Sequence, residues 1–166
     1  MLLMSTMIDM RVLIILITTL GCALMAGVFF AFSISVMNGL SRLPAAGGIA
    51  AMQATNVAIL NPIFLIVFSG TATFCAACVV MAIATWSVAG SPALLVGSLL
   101  YLIGSLLVTA MFNIPRNNAL AIVDPASAAG DAVWKDYLKL WTMWNHVRGV
   151  AALAATATLI FAFRSA

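Results

Sequence analysis

Four apolar runs, at roughly 12–37, 62–86, 93–112 and 131–163, set the frame for this chain. About 20 apolar residues suffice for a helix to cross some 30 Å of hydrocarbon. In that medium only helices and closed barrels satisfy every backbone polar group, and these runs are far too long for barrel strands. The expected fold is therefore all-α, a transmembrane four-helix bundle, with residues 1–166 forming a single integral membrane domain. Composition agrees, since 65% of residues are apolar and 7% charged, outside the range of soluble domains. A net charge of +3, thinly spread, argues against a nucleic-acid partner. Membrane lipid is the expected partner, and a homo-oligomer is compatible with the chain. Cys22, Cys75 and Cys78 all lie in apolar runs. The CxxC at Cys75 has no second pair or neighbouring His, so it reads as small core filler rather than a metal or redox motif.

Residues 1–10 read as a short tail before the first span, whose apolar run is about twice the length of a signal core. Gly27, in a Phe-rich turn, is expected where the first span crosses a neighbour. Asn38 to Pro44 is turn chemistry, and 48–60 is amphipathic with Gln53 and Asn56 on one face. Asn61-Pro62 must interrupt the helix, because Pro lacks an amide donor and disfavours a helical residue before it. Ser87 to Pro92 forms an uncharged hairpin. In the third span Ser98, Tyr101, Ser105 and Thr109 recur at spacings of three and four, a polar stripe that should face other helices or a cavity. Asn113-Ile114-Pro115-Arg116-Asn117-Asn118 follows, read as a loop dense in amide groups and a candidate hydrogen-bonding site. Asp124-Pro125-Ala126-Ser127 should open a last helix of about 30 residues that projects from the bilayer at its start.

The densest chemistry lies at 134–148, which holds the sole His and three of the four Trp. At helical spacing Trp134, Trp141, Asn145 and Arg148 form one stripe, and Lys135, Lys139, Thr142 and His146 the adjacent one. An interfacial belt would account for the Trp and Lys residues. Arg42, Arg116, Lys135, Lys139 and Arg148 fall at one end of the bundle, against Arg11 and Arg164 at the other. The positive-inside rule then turns the polar end toward the cytoplasm, as expected for a bacterial inner-membrane protein.

Gly27 to Ser33, Asn61-Pro62, Asn113 to Asn118 and Trp144-Asn145-His146-Val147-Arg148 together resemble the DUF1772 family, the anthrone oxygenase-like small four-span membrane proteins, over roughly residues 15–163. The resemblance implies oxidation of a hydrophobic phenolic or polyketide-type substrate. It maps the family's polar residues onto Asn61, Asn113, Asn117, Asn118, Asn145, His146 and Arg148. No cofactor is implied, because a deprotonated anthrone can itself give an electron to dioxygen. His146 is the expected base, since His is the side chain most used for proton transfer near neutral pH. Arg148 and Asn145 would act with it, and Asn113 or Asn117 could help hold an oxyanion. Phe30, Trp141 and Trp144 would line a pocket for a flat substrate, with Asn61 and Asn118 at its polar edge. His146 and Arg148 are expected within reach of Asn113 to Asn118. Two other readings are a haem or copper protein using His146, for which a lone His supplies only one strong ligand, and a non-catalytic accessory or transport subunit. Convergence of the polar residues on one cavity separates catalysis from the last of these.

Overall fold

The computed structural model describes residues 2–165, with side chains from Met10 onward, and every regular element in it is helical. Helix α1 begins at Leu2 and reaches Leu40 through a π-helical turn at Phe32–Val36. The segment read as a tail thus continues the first helix. Short α2 covers Ala45–Ala58, α3 Pro62–Ala84, α4 Ser91–Ala121 and α5 Ala128–Arg164. Four of these, α1, α3, α4 and α5, are long and apolar enough to cross a membrane, and the protein is an integral membrane protein. With 23 residues, α3 is about 35 Å long, matching the hydrocarbon thickness. α5, with 37 residues, is about 55 Å long and must extend beyond it.

Local chemistry sets the breaks. Asn61 caps α3, its side chain accepting from the Phe64 amide at 3.0 Å, and Pro62 occupies the first helical position, where a missing donor is harmless. Ser127 caps α5 in the same way, accepting from the Gly130 amide at 3.0 Å. Gly90 turns the α3–α4 hairpin at φ +82°, a conformation other residues rarely adopt.

α1 packs on α3 and α5, and α4 packs on the same two helices, closing a four-membered ring. Cys22, Cys75, Cys78, Leu94, Tyr101 and Leu159 are fully buried at its centre. Close approach falls at other glycines than the one expected. A Cβ on Gly21 would collide with Thr71, one on Gly104 with Ala151, and one on Gly97 would lie 2.9 Å from Leu159. At Gly27 it would meet nothing within 4 Å, so Gly27 is not at a helix crossing.

At one end Arg11 reaches Thr85 Oγ1 and donates to Ser91 Oγ at 3.0 Å, tying α1 to the hairpin. At the other end a second apolar cluster, including Met37, Ile49, Met52, Leu120 and Trp134, joins α2 to the projecting start of α5. Gln53 secures α2 there by donating to the carbonyls of Leu120 and Val123 at 2.9 and 3.0 Å. The third span also differs from expectation, since α4 runs on to Ala121 and Asn113 to Asn118 is helical rather than a loop. Two π-helical turns, Leu102–Leu107 and Thr109–Asn113, precede Pro115. They take up the register change that its missing amide donor demands, so the chain continues as helix.

Candidate functional site

Between the membrane core and the α2 cap lies an open cavity with a free volume of about 170 Å³. Phe29, Phe32, Phe64, Phe68 and Trp141 give it aromatic walls. Leu60, Leu65 and Ile114, all exposed, stand among its lining residues near the start of α3. Into this apolar space project Arg148, Asn145, Asn117, Asn56 and Thr109.

Arg148 organises the cavity. Only 7% of it is exposed. Nη2 donates to Asn145 Oδ1 at 2.5 Å and Nη1 to Thr109 Oγ1 at 3.1 Å, while Nε is buried without a partner. The guanidinium lies over Phe29, 4.4 Å from the ring centre, and 5.3 Å from that of Trp141. Every partner is neutral. α3 contributes Phe64 and Phe68, from its first two turns, to the same cavity. Asn145 in turn uses its whole side chain, donating to the Phe29 carbonyl and to Ser33 Oγ, both at 2.7 Å. It thereby fixes α5 against α1 and holds the acceptor that orients Arg148.

A second polar group stands at the capped end. Tyr137 Oη donates to Asn117 Oδ1 at 2.8 Å and accepts from Asn56 Nδ2 at 3.4 Å. Tyr137 and Trp141 stack with ring centres 5.5 Å apart, so a ladder of flat groups joins this end to Arg148. Both rings arise from one π-helical turn, Tyr137–Trp141, and the other three π turns carry Ser33, Ser105 and Asn113. Such turns expose backbone carbonyls to side-chain donors. Accordingly, Asn113 Nδ2 donates to the Trp141 carbonyl at 3.2 Å.

Residues 64–158 match the family model described as anthrone oxygenase. The chain belongs to the anthrone oxygenase family. No curated protein and no solved structure matches it significantly. In this anthrone oxygenase family member the matched stretch carries Thr109, Asn117, Trp141, Asn145 and Arg148, whereas Phe29, Ser33 and Asn56 come from the part before it.

Of the residues singled out in the sequence, the structure brings Asn117, Trp141, Asn145 and Arg148 to the cavity and buries Asn113 beside it. Five lie elsewhere. His146 is exposed and lines a different groove between α1 and α5, together with Phe30, Gly27, Ser33 and Gly149. Asn145, which lines the first space, donates to Ser33, which lines the second. The expected reach from His146 to Asn113 and Asn118 is therefore not met, because His146 and Arg148 occupy different faces of α5. Trp144 stacks on Phe112 at 3.7 Å, Asn61 serves as the α3 cap and Asn118 is exposed. Trp134 and Trp141 are buried rather than belt residues. The groove beside His146 offers a metal no second nitrogen or sulfur ligand, and among the described residues no three His, Cys, Asp or Glu side chains cluster to hold one. Reading by residue scarcity missed Phe29, Phe64, Phe68 and Tyr137. Asn56 and Thr109 had the helical spacing that could have found them.

Proposed function

We propose that this protein oxidises a flat, weakly acidic phenolic or polyketide-type ketone of anthrone class, taken from the bilayer through the Leu60, Leu65 and Ile114 side of the cavity. The observation that carries this reading is Arg148, a buried cation at membrane depth with no carboxylate beside it among the described residues. A charge placed there costs a few kcal/mol and persists mainly where it faces a partner or a pathway. Pairing with the oxygen of an enolate would supply the missing counter-charge, and in low dielectric that pairing strongly favours the substrate's anion over its neutral form.

The chemistry then needs little else from the chain. The methylene proton leaves to water at headgroup level, and Arg148 with Thr109 and Asn145 holds the resulting oxyanion in a preorganised frame. The electron-rich carbon gives one electron to dioxygen, and the two radicals join as a C–O bond while the resulting peroxide takes a proton back from water. Loss of water from the hydroperoxide breaks the O–O bond and the remaining C–H bond. One ketone and one O₂ become one quinone and one water, with no external reductant and no cofactor. His146 lies in the neighbouring groove, so the base role falls to solvent rather than to that side chain. Cations gathered at the capped end support an orientation in which the site faces the cytoplasmic side of a bacterial inner membrane.

Oxygen uptake by the purified protein with a panel of anthrones is the test. Stoichiometric uptake with quinone formation, abolished in R148Q, is expected. No uptake above the spontaneous rate of the wild type's substrates would overturn the proposal.

A further inference from the structure

We infer that Asn56 and Asn117 read a hydroxyl group on the substrate ring remote from the oxygen held by Arg148, making them specificity-determining residues; this rests on the anthrone-class reading above. The two poles of the cavity differ in hydrogen-bonding character. At the Arg148 pole the free groups are donors only, because Asn145 commits both its amide hydrogens and its carbonyl oxygen to Phe29, Ser33 and Arg148. A guanidinium has no acceptor, so this pole suits an oxyanion or a carbonyl.

The capped pole is different. Asn117 spends its carbonyl oxygen on the Tyr137 hydroxyl and keeps its amide hydrogens, whereas Asn56 spends an amide hydrogen on that hydroxyl and keeps its carbonyl oxygen. Both residues line the cavity, and among the described residues neither free group has a protein partner. The free atoms are also accessible, in contrast to buried unpartnered atoms such as Arg148 Nε. Tyr137 therefore orients one donor and one acceptor toward the same space. A hydroxyl is the simple group that both gives and takes a hydrogen bond, and a carbonyl or ether would use only half of this pair. The poles are linked by the Tyr137–Trp141–Arg148 ladder, with steps of 5.5 and 5.3 Å. A fused-ring substrate lying along it would present one oxygen at each end.

Binding without oxygen isolates this from turnover. The probes are unsubstituted anthrone, an anthrone with one hydroxyl on the ring edge remote from its carbonyl, and the methyl ether of that compound, followed by tryptophan fluorescence quenching. The wild type should bind the hydroxylated probe about ten-fold or more tighter than the other two, since a site built to hydrogen-bond a hydroxyl discriminates against analogues that lack it. N56L should reduce that ratio to under about three-fold, and N56A serves where N56L does not fold. Equal wild-type affinity for the three probes, or an undiminished ratio in the folded variant, would overturn the inference. Binding with the expected preference but no oxygen uptake would sink the oxygenase reading while leaving this one standing.

Discussion

Replacing Arg148 by Met should separate stability from activity. The buried guanidinium carries an insertion cost of roughly 2.5–3.5 kcal/mol at mid-helix. Against it stand two charge-assisted hydrogen bonds, to Asn145 and Thr109, each worth about 1.5–3 kcal/mol, and a desolvated contact on Phe29 worth about 2 kcal/mol. Met fills much of the same apolar volume and removes both sides of that balance. What it leaves is the Asn145 carbonyl oxygen without its donor, a penalty of about 1–3 kcal/mol, while Asn145 still bonds Phe29 and Ser33. Thr109 loses only an acceptor role, because its hydroxyl already donates to the Ser105 carbonyl at 2.7 Å. These terms favour the arginine, so the exchange should cost a few kcal/mol, on the order of 10 °C in the thermal midpoint of a chain this size.

Activity should behave differently. Loss of a preorganised donor to a developing oxyanion lowers turnover by about 10²–10³. R148K keeps the charge but not the planar fork that engages Asn145 and Thr109 together, so it should retain an intermediate rate. The assay pairs a detergent melting curve with oxygen uptake on the same preparation. A midpoint lowered by more than about 15 °C would show that Arg148 is chiefly a structural tie. Wild-type uptake in folded R148M would show that it does not hold the substrate.

Gly21→Leu and Gly104→Leu should each cost about 1–3 kcal/mol through overpacking against Thr71 and Ala151, whereas Gly27→Leu should leave the midpoint unchanged; equal effects at all three would contradict the helix crossings described. Gln53→Ala removes both ties of α2 to the α4–α5 turn and should lower stability by about 1–2 kcal/mol, with proteolysis appearing first near α2; an unaltered digestion pattern would argue against that anchoring. The native cysteines are buried, so single cysteines at Ser87 and Asp131, both exposed, should label from opposite faces of the membrane; labelling from one face would refute the topology.

Helix existence was readable in the sequence because a membrane span is specified almost in one dimension, by length and apolarity. The polar stripe Ser98, Tyr101, Ser105 and Thr109 was readable for a related reason, since hydroxyls in hydrocarbon must turn inward, and the first three are indeed buried. The π turns were not readable. Their extra residue is held by tertiary bonds such as that from Asn113 to the Trp141 carbonyl, which join positions 28 residues apart. Without them, Pro115 among asparagines looks like a loop. The Arg148 site itself was nearly visible, since periodicity had placed Trp134, Trp141, Asn145 and Arg148 on one stripe, and all four are buried. His146 drew attention through its chemistry and its scarcity, yet it sits on the adjacent stripe with exposed Lys135 and Lys139. Neighbouring stripes differ by about 100° of rotation. Turning α5 far enough to bring His146 into the cavity would carry Arg148 toward lipid and break the bonds from Asn145 to Phe29 and Ser33 and from Arg148 to Thr109. The two residues face different sides of one helix, and the buried cation, to which α1 commits Phe29 and α4 commits Thr109, is the one the fold keeps in place.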